Sequence, residues 1–260
     1  MSKENIRTNG AVEGYIYQNF FSRYAQLSEA LNYARSASKD DFIVTDFIGR
    51  FRREPGLRRS IDKVYEIVVY SLFAALVEAL ELEVLVSVDE ANKDALAEFA
   101  DFAKIVMSLD MDNLFRIQEA KVYRVGVANA ADRGLDMYAN WGPAIQIKHV
   151  NLDEALVEEI AGSVTSDKIV IVCKDADEKL IMLLLNQLGW QNRIQGIVTE
   201  DNLVCWYEKA LRGVFSEKLG ERLLEYLRDE MVYEFPAADD KPKILENRKY
   251  DAVTDQFWSV

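Results

Sequence analysis

The stretch 135–150 (LDMYANWGPAIQIKHV) decides the fold, because two short apolar segments flank four residues that favour a turn. The segment 135–139 predicts one strand, NWGP at 140–143 predicts the turn, and AIQIKHV at 144–150 predicts a second strand. A connection this short joins antiparallel neighbours. We therefore predict an antiparallel hairpin at this point in the chain.

Three polar side chains are expected to converge on one side of this hairpin. Alternation along the second strand places Gln146 and Lys148 on one face and Ile145 and Ile147 on the other, buried face, and Asp136 lies across the turn. Phosphodiester hydrolysis needs a carboxylate and a second oxygen to hold a hard divalent ion, and a cation beside the attacking water. We interpret Asp136 and Gln146 as metal ligands and Lys148 as the catalytic cation. A hairpin with one polar face and no such chemistry is the alternative.

Segments on both sides extend the hairpin into a sheet. Before it, KVYRVGVA at 121–128 alternates with period two; after it, KIVIVC at 168–173 is a continuous apolar run typical of a strand buried on both faces, and another strand begins at 196–199. Helices are expected after the hairpin, at 151–163 and at about 176–188. This order predicts an α/β fold with a mixed central sheet flanked by helices.

The N-terminal part is predicted to be mainly helical. Its segments are a helix at 15–36, a charged, Arg-rich connector at 37–60, a long helix from 60 to about 83 and an amphipathic helix at 92–109. The weakly alternating segment 82–88 fits either a short strand or the end of the long helix. We therefore divide the chain into a mainly helical region, 1–115, which contributes a core helix, and an α/β core, 116–260. The core ends in a helix from about 202 or 206 to 233, and both parts are expected to form one compact domain.

Composition limits the classes of protein that fit. The chain has 31 basic and 44 acidic residues in 260, a net charge of −13, which is the wrong sign for a protein that coats DNA without specificity. The longest apolar stretch, 67–80, is too short to span a bilayer. Two cysteines outside any metal-binding pair, and an N-terminus without a secretory pattern, favour a reduced cytoplasmic protein.

Several catalytic classes lack their residues in this sequence. His149 is the single histidine, which argues against a Ser-His-Asp hydrolase and against a zinc enzyme with histidine ligands. A nuclease that uses histidine as its base would have to use this residue, which adjoins the Lys148 strand and is better explained as a strand-end residue. No GxxxxGK[ST] phosphate loop occurs, so ATP is not implied.

The order of these elements, with Asp136 before a Gln-x-Lys strand, resembles the PD-(D/E)XK nuclease superfamily. Residues 131–149, with 62–73 (DKVYEIVVYSLF), are similar more specifically to the HaeII family of type II restriction endonucleases. The resemblance covers roughly 60–200. It implies Mg²⁺-dependent cleavage of double-stranded DNA at a short specific site, a homodimer, and a DNA methyltransferase as genetic partner in a bacterial or archaeal cytoplasm.

Two residues depart from the superfamily pattern. Leu135 stands where a proline often precedes the aspartate, and Gln146 replaces the usual acidic residue. A neutral amide is a weaker metal ligand, so the resemblance implies a compensating carboxylate from the helix before the strands. Glu66 is our candidate, as both catalytic residue and metal ligand, with Glu78 and Glu119 as alternatives. Glu66 also fits a solvent-facing helix position.

Other polar residues are candidates for DNA contact, with an exposed loop residue as the alternative in each case. Arginines are dense at 50–59, and residues 191–193 have side chains that suit bidentate contacts to purines. The candidates are Arg133, Asn140, Lys174, Gln191, Asn192, Arg193, Arg52 and Arg53. A structure-specific or repair nuclease of the same superfamily, or a catalytically inactive DNA-binding relative, are the rival functions.

Overall fold

The computed structural model describes residue 3 and residues 11–125, 135–164, 166–177 and 193–236. The chain divides into two compact units, Met1–Ser71 with Asp201–Val260, and Leu72–Glu200. In chain order the elements are α1 (Ala11–Ser36), α2 (Val44–Arg53), α3 (Ile61–Ala79), β1 (Glu83–Ser87), α4 (Lys93–Glu98), β2 (Phe115–Glu119), β3 (Val122–Arg124), β4 (Met137–Ala139), β5 (Ala144–Leu152), α5 (Glu154–Ser163), β6 (Ile169–Ala176), β7 (Ile194–Val198), α6 (Glu200–Arg212) and α7 (Ser216–Glu234). Short helical turns lie at Arg58–Ser60, Glu90–Asn92, Ala100–Phe102 and Ala103–Met107.

Helix α2 lies inside the segment that we predicted to be a connector, so the prediction was wrong there. Val44, Phe47, Ile48 and Phe51 recur at the helical spacing and are buried, while the arginines occupy the remaining positions. The rings of Phe42 and Phe47, and of Phe47 and Phe51, lie 5.6 and 5.5 Å apart between centroids. The aromatic spacing, rather than the arginine content, therefore determines the structure of this segment.

The helix predicted to close the chain is two helices, α6 and α7. The break is residues 213–215, and a Cβ added to Gly213 would lie 2.3 Å from the carbonyl oxygen of Lys209. Phe215, which would lie on the apolar stripe of a continuous helix, is instead exposed. Arg212 and Arg228 hold the two helices in their unit, because they donate to backbone carbonyls of Phe42 and Ala37, respectively.

The second unit contains a five-stranded sheet in the order β3-β4-β5-β6-β7. Strands β3, β4 and β5 pair antiparallel, while β5, β6 and β7 pair parallel. Val157 and Ile160 of α5 share a buried core with Ile169 and Ile171 of β6. The predicted α/β fold, with a mixed central sheet flanked by helices and a helical N-terminal part, is confirmed.

A separate two-stranded ribbon precedes the sheet. Strand β1, one of the two structures that fit 82–88, pairs antiparallel with β2, which we did not predict. The amphipathic helix predicted at 92–109 is broken into α4 and short turns, and Phe99 and Val106 of its apolar stripe are exposed. The segment keeps helical turns but does not form the single amphipathic helix that we predicted.

Element ends differ from the predictions in ways that the local contacts explain. Strand β5 continues to Leu152, and α5 starts only after Asp153, whose carboxylate accepts a hydrogen bond from the backbone N–H of Leu156 at 2.9 Å. The helix predicted at about 176–188 lies almost entirely outside the described residues. None of the helices in the described part of the chain is long and apolar enough to cross a membrane.

Candidate active site

The register of the hairpin brings Asp136 and Gln146 together. Strand β4 pairs with β5 through Met137 and Ile145, and the next step along the same register places Asp136 opposite Gln146. The amide Nε2 of Gln146 donates to Asp136 Oδ2 at 2.5 Å, and the backbone N–H of Ile147 donates to the same oxygen at 2.7 Å. The carboxylate of Asp136 is therefore fixed by two donors from β5.

Gln146 is buried, with only 2% of its surface exposed. Ala144, Ile145 and Ile147 are buried as well, so both faces of this part of β5 are covered and the polar face that we expected is enclosed. The amide oxygen Oε1 of Gln146 has no hydrogen-bond partner among the described residues. A buried carbonyl oxygen without a partner lowers the free energy of unfolding by about 1–3 kcal/mol. A cation or a hydrogen-bond donor that binds next to Oε1 would therefore be stabilised here.

Lys148 follows two residues later and is half-buried on the same face of β5. It lies opposite Cys173 of the parallel strand β6, and the register of the pair becomes irregular just beyond it. No described residue forms a hydrogen bond or an ion pair with its ammonium group. The structure therefore brings the three predicted residues of the hairpin onto adjacent positions, with the cation available to a ligand.

Glu66, the proposed compensating carboxylate, lies in α3 and is 6% exposed. Both of its carboxylate oxygens accept from Lys63 Nζ at 2.9 Å. It is the only acidic side chain among the buried residues of the described part of the chain. By contrast, the alternative Glu119 is exposed and forms an ion pair with Lys121 at 2.9 Å.

The side-chain atoms available at the hairpin determine which metal ion could bind there. Within the described ranges, no group of three or more His, Cys, Asp or Glu side chains is arranged to hold a metal ion. The hairpin offers one carboxylate, from Asp136, and one unpaired amide oxygen, from Gln146. Such oxygen donors fit a hard divalent ion that keeps several of its own waters, as Mg²⁺ does, rather than a metal that prefers sulfur or imidazole.

Asn140, a candidate for DNA contact, uses its side chain inside the fold. Its Oδ1 accepts from the backbone N–H of Lys121 at 2.9 Å, and its Nδ2 donates to the carbonyl of Glu119 at 2.9 Å. Its own backbone N–H donates to the Lys121 carbonyl at 3.0 Å. The residue therefore ties the end of β2 to the turn of the hairpin.

Arg193 also has partners within its unit. Its guanidinium donates to the backbone carbonyls of Ser166, at 3.0 Å, and Val164. It lies with Lys168 and Gly142 on the wall of a polar cavity of about 760 Å³ at the ends where β5, β6 and β7 begin. These bonds hold the loop before β6 in place and limit the reach of the side chain.

The remaining candidates are spread over the chain. Lys174 is exposed on β6, and Arg52 and Arg53 end α2, half-buried and exposed respectively. Three candidates lie outside the described residues: Arg133, Gln191 and Asn192. One contributor was missed entirely, the backbone N–H of Ile147, because a main-chain donor leaves no mark in a sequence.

Comparisons with known proteins agree on one family. A model of the HaeII restriction endonuclease family matches residues 1–250. The chain is 51% identical over 257 residues to the type II restriction enzyme HaeII of Haemophilus aegyptius, covering 98% of this chain and 73% of that protein. It is 47% identical over 256 residues to the type II restriction enzyme NgoBI of Neisseria gonorrhoeae, covering 97% and 72%. No solved structure matches significantly. The chain therefore belongs to the HaeII restriction endonuclease family.

Proposed function

We propose that this chain is a type II restriction endonuclease that uses Mg²⁺ to hydrolyse phosphodiester bonds in both strands of double-stranded DNA at a short specific site. Membership in a restriction endonuclease family implies DNA as the substrate and a divalent metal as the cofactor. The observation that carries the proposal is the unpaired, buried Oε1 of Gln146 beside the fixed carboxylate of Asp136.

In this proposal Asp136 and Gln146 hold the Mg²⁺ ion, which when bound polarises the scissile phosphate and acidifies a water molecule. The Ile147 N–H and the Gln146 amide orient the carboxylate before any ligand arrives. Lys148, two positions along the same face, stabilises the negative charge that develops on the phosphate and orients the attacking water. The buried setting strengthens each of these interactions.

Glu66 is proposed as a further ligand. A carboxylate is rarely buried unless it is paired, and the side chain of Glu66 is 7% exposed while that of its partner Lys63 is 33% exposed. The burial of Glu66 therefore supports its proposed role as a metal ligand. Glu66→Gln keeps the size and removes the charge, and we expect it to raise the Mg²⁺ concentration needed for cleavage.

The test is digestion of plasmid and genomic DNA with Mg²⁺, followed by sequencing of the new ends. We expect discrete fragments from the wild type, and a loss of at least about 100-fold in cleavage rate for Asp136→Asn and for Lys148→Gln. Lys93→Gln is the matched control, because Lys93 forms a surface ion pair with Glu90. If both site variants cut as fast as the wild type, the assignment of the site is wrong.

The same digestion separates the rival functions. Cleavage that depends on branches or ends in the DNA, without discrete fragments, would indicate a repair or structure-specific nuclease. Binding of DNA without any metal-dependent cutting would indicate an inactive relative. The ends themselves report the recognition site and the stagger of the cut.

The remaining parts of the proposal concern assembly and DNA contact. We propose a homodimer, because two catalytic centres related by a two-fold axis match the two strands of a palindromic site. A DNA methyltransferase that protects the same site is proposed as the genetic partner. The eight predicted DNA-contact residues, and the division of the chain at 115/116, stay predictions.

A further inference from the structure

Several exposed arginines of the first unit have no partner among the described residues, although the chain carries a net charge of −13, and two of them lie close together. Arg23, on α1, and Arg59, just before α3, form no hydrogen bond or ion pair with any described residue. Other arginines of the same unit do have such partners: Arg50 binds Glu29, and Arg212 binds Glu208. Although the chain is rich in carboxylates, none of the described ones pairs with these two guanidiniums, which therefore remain available to an anion that is not part of this chain.

Both arginines line one cavity. Its volume is about 400 Å³, and its lining is mostly apolar, with Tyr24, Leu57 and Phe235 among its walls. Among the described residues that line it, only Glu234 is acidic. We call this the arginine cavity: Arg23 and Arg59 with the walls Tyr24, Leu57 and Phe235.

The fold brings these two arginines together through a close contact at Gly56. A Cβ added there would lie 2.7 Å from Arg23 Cγ and 2.3 Å from Gln26 Oε1. Only a residue without a side chain lets the loop before Arg59 approach α1 this closely. Gln26 also donates through Nε2 to Glu54 at 2.8 Å, which anchors the loop from its other end.

The arginines and the apolar walls of the cavity together indicate which class of ligand it suits. A guanidinium presents planar, paired donors that match a phosphate group, and an apolar wall suits a sugar or a base next to it. An uncharged apolar ligand would leave both guanidiniums without a partner. Arg58 and Arg53, exposed and also without a partner in the described part of the chain, add positive charge to the same segment.

We propose that Arg23 and Arg59 bind phosphates of the DNA backbone at the arginine cavity and supply binding affinity without reading the sequence. This proposal rests on the proposed function, because it takes DNA to be the substrate. Phosphate contacts contribute to affinity through the release of counterions, so the contribution depends on salt. Neither arginine belongs to the proposed catalytic set, and cleavage of bound DNA should not need them.

The test measures binding of a fluorescently labelled DNA duplex by anisotropy at several salt concentrations, in EDTA so that no cleavage occurs. For the double variant Arg23→Gln/Arg59→Gln we expect a Kd that rises by roughly tenfold or more, and a plot of log K against log salt that is shallower by about 1.8. The matched control is Arg222→Gln/Lys93→Gln, because both residues form surface ion pairs with Glu225 and Glu90. It removes the same charge and should leave Kd and slope near the wild type.

A second variant changes the cavity without changing the charge. Gly56→Ala places a methyl group where Arg23 and Gln26 now lie, so we expect it to weaken DNA binding in the same direction, with thermal melting to check that the protein is folded. An unchanged Kd and salt slope in the double arginine variant, or an equal change in the control, overturns the proposal. Plasmid cleavage by the wild type then still supports the proposed function, whereas a wild type that neither binds nor cuts DNA refutes that function itself.

Discussion

Gln146 uses the two ends of its amide differently. Nε2 donates to Asp136, while Oε1 lies buried without a partner in the described part of the chain. A carboxylate at this position could not donate to Asp136, because both groups would be negatively charged. The amide therefore holds the aspartate in place by a hydrogen bond, which a glutamate carboxylate at this position could not form.

This difference predicts the behaviour of Gln146→Glu. Two carboxylates would then face each other at about the distance that Nε2 and Oδ2 now keep, so we expect the metal-free variant to lose roughly 1–3 kcal/mol of unfolding free energy. If these residues hold Mg²⁺ as proposed, its positive charge would offset the repulsion between the two carboxylates, so its addition should raise the melting temperature of the variant more than that of the wild type. Gln146→Leu, which has neither charge nor donor, is the control, and equal Mg²⁺ shifts in all three proteins would contradict the argument.

The two cysteines are expected to differ in reactivity. Burial raises the pKa of the Cys173 thiol to about 11, with a smaller contribution from Asp175, whereas Cys205 is exposed on α6. Only the thiolate reacts, so at pH 8 a thiol reagent should label Cys205 rapidly and Cys173 only after denaturation. Since the folded pKa lies above its ordinary value of 9.0, the contribution of the neutral thiol to stability is complete below pH 9 and is lost as the pH rises towards 11. Labelling of both thiols at one rate in the native protein would contradict this.

Sequence alone located the residues of the hairpin but not their surroundings. The two-residue period of a strand placed Asp136, Gln146 and Lys148 on adjacent positions, and the structure keeps them there. The burial of Gln146 depends on what covers the sheet, which no local pattern states. Asn140 was predicted to contact DNA because it flanks the hairpin, and that contact stays a prediction; the sequence did not indicate that its amide also links β2 to the hairpin.

Helices and strands whose hydrophobic residues follow one clear pattern were predicted from the sequence. Those whose residues fit more than one structure were missed. The parallel strand β6 follows from its apolar run, and the hairpin follows from its turn. We did not predict helix α2 because the five arginines at 50–59 indicated an exposed connector. The four apolar residues at helical spacing, which are buried, were the signal that we missed. Strand β2 is stabilised by pairing with β1, in which Ser87 lies opposite Phe115, and pairing between segments so far apart in the chain has no local signature.

Substitution by alanine should have opposite effects on the free energy of unfolding at Gly213, in the break between α6 and α7, and at Gly162, in α5. Gly213→Ala forces a Cβ to within 2.3 Å of the Lys209 carbonyl oxygen, so we expect a loss of about 1–3 kcal/mol in unfolding free energy. Gly162→Ala, in α5, meets no atom within 4 Å and should gain up to about 1 kcal/mol from helix preference. Urea unfolding of both variants checks the signs, and a neutral Gly213→Ala would show that the break does not depend on this contact.

At the scale of the whole molecule, cleavage of two strands calls for two catalytic centres. We therefore expect a particle of twice the chain mass of 29.7 kDa in multi-angle light scattering without DNA, and of that mass plus the mass of one duplex when DNA is bound. Dilution should lower the rate of double-strand cleavage more than the rate of nicking, because the dimer then dissociates. A particle of single-chain mass that still cuts both strands at once would contradict the homodimer.

The arginine cavity has a practical consequence for handling the protein. With 13 more acidic than basic residues, the folded chain should be retained by an anion exchanger at neutral pH. The same molecules should also be retained by a heparin column, because a sulfated polyanion offers Arg23 and Arg59 the groups that a DNA backbone offers. An acidic protein is rarely retained by both an anion exchanger and heparin. Using the two columns in sequence would therefore purify the molecules whose arginine cavity is intact.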